Sequence, residues 1–299
     1  MSVILRTSDL SKRFGRTLGL DRLTFDVSEG SVYGLIGPNG AGKTTAIKTL
    51  MNIVDPTSGR AEVLGADSRR LLPRHFAKIG YVSENQEMPE WMAVEHLLAY
   101  LKPFYPTWDD RRARELLDRF ELPRNRKLRQ LSRGMRMKAV LVASLAYRPT
   151  LLILDEPFSG LDALVRDELI EGLVESAEET TILISSHDLA EIESFATHFG
   201  YLDHGRLHFS EEMHTLTARF REVEVTMDAA PLLPVEWPSS WLNPDASAAV
   251  VRFVESRFDD ERTATDVRRL FGEAARIAID PMPLRAIFVA LARSSRQAA

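Results

Sequence analysis

The sequence has 299 residues, of which 44% are hydrophobic and 27% are charged. This composition is typical of a folded globular protein, and at about 150 residues per domain the length predicts one large domain or two unequal ones. The lack of cysteine excludes disulfide scaffolds, thiol nucleophiles, zinc fingers and iron–sulfur clusters. A net charge of −5 argues against bulk nucleic-acid binding as the main task.

No apolar run approaches the roughly 18 residues that a membrane span needs, and one of the longest extends only from Ala139 to Tyr147. The amino-terminal segment is interrupted by Arg6 and Asp9 and offers no cleavage site of small residues, so no signal peptide is predicted. We therefore expect a soluble chain that works in the cytoplasm.

Short apolar segments alternate with helix-like stretches at first, as in an α/β domain around a mainly parallel sheet. The predicted strands are Leu23–Val27, Ser31–Ile36, Ala61–Val63, Ile79–Val82, Leu151–Leu154, Thr181–Ser185 and Phe199–Leu202. Long helical patterns without a strand fill the stretch between Val82 and Leu151, which predicts an inserted helical subdomain over about 84–150.

The pattern changes again from about Glu211, and we place a domain boundary so that 1–215 and 216–299 form separate domains. The second is predicted to be a small α+β domain with a Pro/Trp-rich loop at 231–244. Its predicted elements are strands at Glu222–Met227, Ala249–Val254 and Arg276–Ile279, a helix at about Thr265–Ala275, and a last helix with Leu284, Ile287, Phe288 and Leu291 on one face.

A glycine-rich loop follows the predicted strand that ends at Ile36. It fits the pattern G-x-x-x-x-G-K-[ST] with Gly37, Pro38, Asn39, Gly40, Ala41, Gly42, Lys43 and Thr44. Its glycines let backbone N–H groups converge on one phosphate, and the following helix adds its positive amino-terminal end. Lys43 would reach the β- and γ-phosphates and Thr44 would bind Mg²⁺. The alternative, a glycine turn with a solvated lysine, is disfavoured by the flanking strand and helix.

Two carboxylates, Asp155 and Glu156, end a strongly apolar strand. Ligands of parallel sheets lie at the carboxyl edge, so both acids would arrive beside the phosphates. Asp155 suits the metal, directly or through water, and Glu156 suits polarisation of the attacking water. Alone, such a strand end would as often carry ordinary surface acids.

A histidine, His187, follows another predicted strand and would lie on the same sheet edge as Glu156. Its imidazole could hydrogen-bond a γ-phosphate oxygen, although a lone histidine is more often structural. Ser132 and Gly134 precede a further helix and form a second potential anion site, or Ser132 simply caps that helix.

These motifs, in this order, resemble the ATP-binding subunit of an ATP-binding-cassette (ABC) transporter over roughly residues 3–210. The matching segments are the Walker A loop Gly37–Thr44, the Walker B strand Leu151–Glu156, the D-loop Ser159–Asp162, the H-loop residue His187, the signature Leu131–Met135, and the adenine-stacking aromatic Phe14.

The resemblance implies a P-loop ATPase fold and head-to-tail dimers. The Ser132 loop of one chain would close over ATP held by the other. The cofactor-binding residues so implied are Phe14, the loop residues 37–44 with Thr45, and Ser132, Gly134 and Asp162; the catalytic residues are Lys43, Glu156 and His187; and the metal residues are Thr44, Asp155, and Glu84 or Gln86.

Two departures from the family pattern affect this assignment. The Q-loop position carries Glu84, with Gln86 two places on, so either residue is a candidate for contact with Mg²⁺. The signature, usually Leu-Ser-Gly-Gly-Gln, has Arg133 and Met135 in place of a glycine and the glutamine. Arg133 either adds positive charge to the γ-phosphate site or points to solvent.

The predicted function is that of an ATP-hydrolysing motor, with ATP and Mg²⁺ as cofactors. It would drive a membrane permease on a separate chain, which would hold it at the inner face of the membrane, with export favoured over import. The working pair is either a homodimer or a heterodimer with a related ATPase. The alternatives are a soluble ABC ATPase acting on nucleic acid or ribosomes, and a regulatory subunit with slow turnover.

Two surface segments allow more than one interpretation. Residues 109–138 contain 11 basic and 5 acidic side chains, a surplus that could form a patch facing lipid headgroups or phosphates. We favour a solvated helix surface instead. Trp91 and Met92 fall in a region that contacts the membrane partner in this family, so an interface is favoured there over buried core.

Overall fold

The computed structural model describes residues 2–84, 86–229, 233–234, 236–272 and 275–297. The chain divides into two compact units, Met1–Ser210 and Glu211–Ala299. The division falls slightly before the boundary predicted at residue 215. Among the described residues, no helix combines the length and the apolar character that a membrane span requires.

The first unit combines two sheets with helices. Its strands are β1 (Val3–Phe14), β2 (Thr17–Ser28), β3 (Val32–Ile36), β4 (Ser58–Val63), β5 (Ala66–Asp67), β6 (Ile79–Ser83), β7 (Leu151–Asp155), β8 (Thr181–Ser186), β9 (His198–Asp203) and β10 (Arg206–Glu212), whose last two residues fall beyond the division. Its helices are α1 (Lys43–Leu50), α2 (Pro73–Phe76), α3 (Val94–Leu101), α4 (Asp110–Arg119), α5 (Arg133–Leu145) and α6 (Ala163–Ser176).

The larger sheet has the strand order β10-β9-β3-β8-β7-β6. Strand β3 pairs in parallel with β8 and β9, and β7 pairs in parallel with β6 and β8. Every residue of β3, β7 and β8 is buried, as expected for parallel strands covered on both faces. In this register Ser83 is paired with Asp155 and Asp155 with Ser185, so the carboxyl ends of three strands meet at one edge.

A second sheet, with the order β2-β1-β4-β5, is antiparallel. The predicted strands Leu23–Val27 and Ala61–Val63 lie in this sheet, as parts of β2 and β4, but a separate antiparallel layer was not predicted and β1 was missed. The alternation in β1 is obscured because register shifts occur between Thr7 and Leu10, and Asp9 has a φ of 47°. Its buried residues Leu5 and Leu10 are consequently out of phase with one another in the sequence.

The stretch predicted as helical, 84–150, carries α3, α4 and α5. Within its described part the strand pairing is limited to an isolated bridge between Ala93 and Lys127. Helix α4 begins where Asp109 accepts hydrogen bonds from the N–H groups of Arg111 and Arg112. Helix α5 begins at Arg133, capped by Ser132.

The second unit contains helix α7 (Met213–Arg219), strands β11 (Arg221–Thr226), β12 (Trp241–Ser247), β13 (Val250–Glu255) and β14 (Arg276–Pro281), and helices α8 (Asp260–Phe271) and α9 (Leu284–Gln297). Its antiparallel sheet has the order β12-β13-β11-β14. The core includes the stacked rings of Trp241 and Phe253, whose centroids are 3.7 Å apart.

Three predictions for this unit need correction. Strand β12 begins inside the segment predicted as a loop, and α7 was not predicted. Helix α8 begins at Asp260, because the Asp259 side chain caps it by accepting from the Arg262 N–H, and it ends at Phe271. Residues 273 and 274 of the predicted helix lie outside the described residues, as does part of the predicted loop.

Candidate functional site

The glycine-rich loop joins the end of β3 to the start of α1. Gly40 and Gly42 have φ values of 83° and 110°, a region that glycine occupies without strain. A Cβ at Gly37 would lie 2.0 Å from the Leu202 carbonyl oxygen, and one at Gly42 would lie 2.5 Å from that of Gly19. The α1 amino terminus has no side-chain cap, so its N–H groups are available to an anion.

Lys43 is the first residue of α1 and is 5% exposed. Its Nζ donates hydrogen bonds to the carbonyl oxygens of Gly37 at 2.6 Å and Pro38 at 3.1 Å. It also lies 3.0 Å from Oε1 of Glu156. The ammonium thus connects the loop to the Glu156 carboxylate, which directly follows β7.

Asp155, the last residue of β7, is 3% exposed. Its Oδ1 accepts hydrogen bonds from Thr44 Oγ1 at 3.1 Å and from Ser185 Oγ at 2.9 Å. Burial raises the pKa of this carboxyl, and the two hydroxyl hydrogen bonds oppose that shift. A hydroxyl and a carboxylate side by side are hard oxygen donors, so these residues fit Mg²⁺.

Glu156 bridges Lys43 and His187. Its Oε2 lies 2.8 Å from His187 Nδ1 and also accepts from the His187 N–H at 3.3 Å. The hydrogen bond to Glu156 raises the pKa of His187 above its ordinary value. Glu156 has a φ of 52°, a strained conformation for glutamate that is typical of functional sites.

Both candidate Q-loop residues line a cavity of about 240 Å³. The other residues that line it include Thr44, Lys48, Tyr81, Asp155 and Glu156. Glu84 Oε1 accepts a hydrogen bond from Ser159 Oγ at 3.1 Å and pairs with Arg133, whereas Gln86 Oε1 accepts from the Ser83 N–H at 3.3 Å. Glu84 and Gln86 therefore both line this cavity, but Glu84 contacts side chains of other segments whereas Gln86 contacts the nearby backbone.

In the described part of the chain, no three His, Cys, Asp or Glu side chains form a metal cluster by themselves. Such a cluster is not needed for Mg²⁺, which commonly takes one or two carboxylates and completes its shell with water and substrate phosphates.

A second cavity, of about 440 Å³, lies along the loop. Its lining includes Phe14, residues 39–45, Glu84 and Glu156. Phe14 is 50% exposed, and the Lys12 ammonium lies 5.0 Å from its ring centroid. An exposed ring at the rim of this cavity is suited to stacking on a planar base.

The remaining residues implied by the resemblance do not line this cavity. Ser132 Oγ accepts from the Met135 N–H at 3.2 Å, and Asp162 Oδ1 accepts from the Val165 N–H at 3.0 Å, so each caps a helix of its own chain. Gly134 packs so closely against Val165 that a Cβ there would approach Cγ1 of that valine to 2.6 Å.

Sequence reasoning missed Ser185. This fully buried residue donates to Asp155 and accepts from the Glu156 N–H at 3.0 Å, so it fixes both acids. Two serines at the end of a strand whose centre is apolar were the available signal, because a buried polar side chain needs a partner.

The basic segment 109–138 forms an ion-paired surface. At least six of its side chains meet carboxylates: Arg111 pairs with Glu115, Arg119 with Glu175, Arg124 with Asp118, Arg133 with Glu84, Arg136 with Glu90, and Lys138 with Glu168. This pairing favours the helix-surface interpretation. Trp91 is 68% exposed, so it is not part of the core.

The fold and site define a P-loop nucleotide-binding protein of the α/β class. The ABC transporter family model matches residues 20–159. The bacitracin transport ATP-binding protein BcrA of Bacillus licheniformis is 35% identical over 212 residues, which are 69% of this chain and 69% of BcrA.

The daunorubicin/doxorubicin resistance ATP-binding protein DrrA of Streptomyces peucetius is 29% identical over 304 residues, covering 96% of this chain and 92% of DrrA. A solved structure of an ATP-binding subunit of an ABC transporter aligns with a TM-score of 0.67 and 29% identity, covering 72% of this chain and 92% of that one. The chain belongs to the ABC transporter family as an ATP-binding subunit. The resemblance and the fold class inferred from its motifs are confirmed.

Proposed function

We propose that the chain hydrolyses ATP and that this reaction drives a membrane permease on a separate chain. The observation that carries the proposal is the position of Glu156, whose carboxylate lies between Lys43 and His187 beside the glycine-rich loop. Glu156 orients and deprotonates the attacking water, Lys43 stabilises negative charge on the phosphates, and His187 uses its other ring nitrogen, Nε2, to hold a γ-phosphate oxygen.

Nucleotide binding uses the loop and the exposed ring. Backbone N–H groups of the loop and of the first turn of α1 surround the phosphates, and Phe14 stacks on adenine. Thr44 and Asp155 hold Mg²⁺, which when bound neutralises charge on the phosphates. Glu84 or Gln86 completes this site from the cavity wall.

The working unit in this proposal is a head-to-tail pair, either two copies of this chain or one copy with a related ATPase. Ser132, Gly134 and Asp162 belong to helix ends that do not line the chain's own nucleotide cavity. Their anion-binding geometry is therefore available to a nucleotide held by the partner. The Ser132 hydroxyl accepts from the Met135 N–H and still has its O–H to donate to phosphate.

The permease contact is assigned to the region after β6. A groove of about 810 Å³ there is lined by Met88, Leu131, Met137 and Val140 together with charged side chains. Trp91, three residues after Met88 in the sequence, is exposed. An apolar floor with a charged rim suits a short helix of the permease. This contact would hold the chain at the inner face of the cell membrane.

Export is the direction we propose. One relative is named for bacitracin transport and another for daunorubicin/doxorubicin resistance, and resistance achieved by transport requires outward movement of the drug. The alignment with DrrA also extends through the second unit, so we assign 216–299 to an accessory domain that belongs to the same architecture, and 1–215 to the nucleotide-binding domain.

The test compares ATPase rates of the purified chain with and without the membrane protein encoded beside it. We expect Mg²⁺-dependent turnover that the membrane protein stimulates. Slow turnover with intact ATP binding in both preparations would favour the regulatory alternative. A soluble neighbour together with stimulation by RNA or ribosomes would favour the other alternative.

The metal-side assignment has its own test. The variants Glu84→Ala and Gln86→Ala are compared for the Mg²⁺ concentration that gives half-maximal ATPase rate. We expect the residue that contacts the metal site to shift this concentration upward when truncated. If neither variant shifts it, the assignment of this loop is wrong.

A further inference from the structure

Two of the three positions that depart from the ABC family pattern, Glu84 and Arg133, contact each other. Glu84 stands where the pattern has glutamine, and Arg133 stands where it has glycine. In the structure the Arg133 guanidinium donates to Glu84 Oε1, which also accepts from Ser159 Oγ. A glutamine at the first position would lack the charge for this pairing, and a glycine at the second would have no side chain to make it.

The pair connects two distant segments of the first unit. Glu84 directly follows β6, and its N–H donates to the Asp155 carbonyl oxygen at 3.1 Å. Arg133 is the first residue of α5 and directly follows Ser132. One ion pair therefore joins the wall of the metal-side cavity to the helix tip that carries the signature serine.

The loop after β7 is shaped to admit the arginine. Gly160 has a φ of 65°, and a Cβ there would approach Nη1 of Arg133 to 2.6 Å. The side chains of Glu84 and Arg133 are 29% and 50% exposed, so the carboxylate is the more enclosed member of the pair. Arg133 is the cation paired with Glu84, which lines the same cavity as the acids Asp155 and Glu156.

We propose that Arg133 is a positioning residue: it holds the Glu84 carboxylate at the cavity wall and thereby couples the end of β6 to the Ser132 helix tip of the same chain. The guanidinium is engaged by its own chain, which differs from both roles considered for it from the sequence. The proposal rests on the proposed function only in one respect: that function gives Glu84 its place beside the metal site and Ser132 its role in binding the partner's nucleotide.

Amide hydrogen exchange tests the coupling without nucleotide. The reporters are the N–H of Glu84, bonded to Asp155, and those of Met135 and Arg136, bonded to the Ser132 side chain and carbonyl. Arg133→Ala is expected to speed exchange at Glu84, and Glu84→Gln to speed exchange at Met135 and Arg136. The expected factor is about two to five, the range of partly exposed ion pairs.

A double variant and two controls make the result specific. Arg133→Ala combined with Glu84→Gln should exchange no faster at Met135 and Arg136 than the faster single variant. Arg133→Lys should restore part of the protection at Glu84, because it keeps the charge but loses the planar fork. Arg136→Ala removes another guanidinium of α5, which pairs with Glu90, and should leave exchange at Glu84 unchanged.

Unchanged exchange at Glu84 in Arg133→Ala would overturn the proposal, and so would additive effects in the double variant. A failure of the unaltered chain to bind ATP would instead count against the proposed function. The two failures are distinguishable because the exchange reporters need no ligand.

Discussion

Glu156 is the residue on which most contacts of the site converge. Lys43 contacts one carboxylate oxygen and His187 the other, while Ser185 fixes its N–H. Its backbone is held at a positive φ. Because three residues fix the position of Glu156, the most informative substitution is one that changes its chemistry and keeps its shape.

Glu156→Gln should therefore keep ATP binding and lower the turnover rate by about 10²- to 10⁴-fold, the usual contribution of a general base. The amide preserves size and keeps one acceptor oxygen for Lys43 or His187, but it accepts protons poorly. Single-turnover hydrolysis and equilibrium nucleotide binding measure the two effects separately. Normal turnover in this variant would mean that another group activates the water.

The pH response of His187 follows from its contact with Glu156. The pKa of His187 is raised in the folded chain, so the ion pair stabilises the fold fully below the ordinary value of 6.5 and is lost as the pH rises through the raised pKa. In Glu156→Gln the pKa should fall back toward 6.5. An NMR titration of the imidazole in both proteins measures this, and equal midpoints would contradict the assigned cause.

The site could be predicted from the sequence where its residues follow one another along the chain. Gly37–Thr44 and the acids after β7 are local patterns whose spacing carries the chemistry. Ser185 and the pairing of Glu84 with Arg133 depend on which segments meet in space. No spacing rule encodes such contacts, so only the structure revealed them.

At the scale of elements, buried strands were easier to predict than edge or polar ones. The predicted strands of the parallel sheet lie within or overlap β3, β6, β7, β8 and β9 because each is a short apolar run bounded by polar residues. Strand β1 was missed because its register shifts break the alternation of buried residues. Strand β12 was missed because Asn243 and Pro244 resemble a loop and lie at a register shift.

The core of the second unit provides an element-scale prediction. Phe253 is 2% exposed and stacks on Trp241, so Phe253→Ala should lower the free energy of unfolding of this unit by about 3–5 kcal/mol. Denaturant unfolding followed by tryptophan fluorescence measures the change. The matched control is Val289→Ala on α9, a residue 45% exposed, which should change stability by less than about 0.5 kcal/mol.

The same pair of variants tests whether the two units depend on each other for binding. The first unit has its own core, which includes Leu35, Ile47 and Ile153, and the nucleotide cavity belongs to it. ATP affinity should therefore be equal in Phe253→Ala and the unaltered chain while the protein remains folded. A parallel loss of affinity would show that the second unit supports the site.

At the scale of the whole molecule, Ser132 does not line the nucleotide cavity of its own chain. This leads to a prediction about assembly. ATP with Mg²⁺ should convert Glu156→Gln from one chain to a pair, because bound nucleotide persists and is covered by the second chain. Light scattering after size exclusion should then give twice the mass of one chain. Adding Ser132→Ala should weaken the pair. If the measured mass is the same with and without ATP, head-to-tail closure of two copies of this chain is contradicted.

The position of Lys43 has a consequence for when Glu156 can activate water. Its ammonium binds the loop carbonyl oxygens and one oxygen of Glu156 at the same time. A triphosphate offers far more negative charge than a single carboxylate, so an arriving nucleotide draws the lysine toward itself and leaves that oxygen free to orient water. ATP itself would thus free Glu156 to activate water. The site would become competent for hydrolysis only when nucleotide is bound.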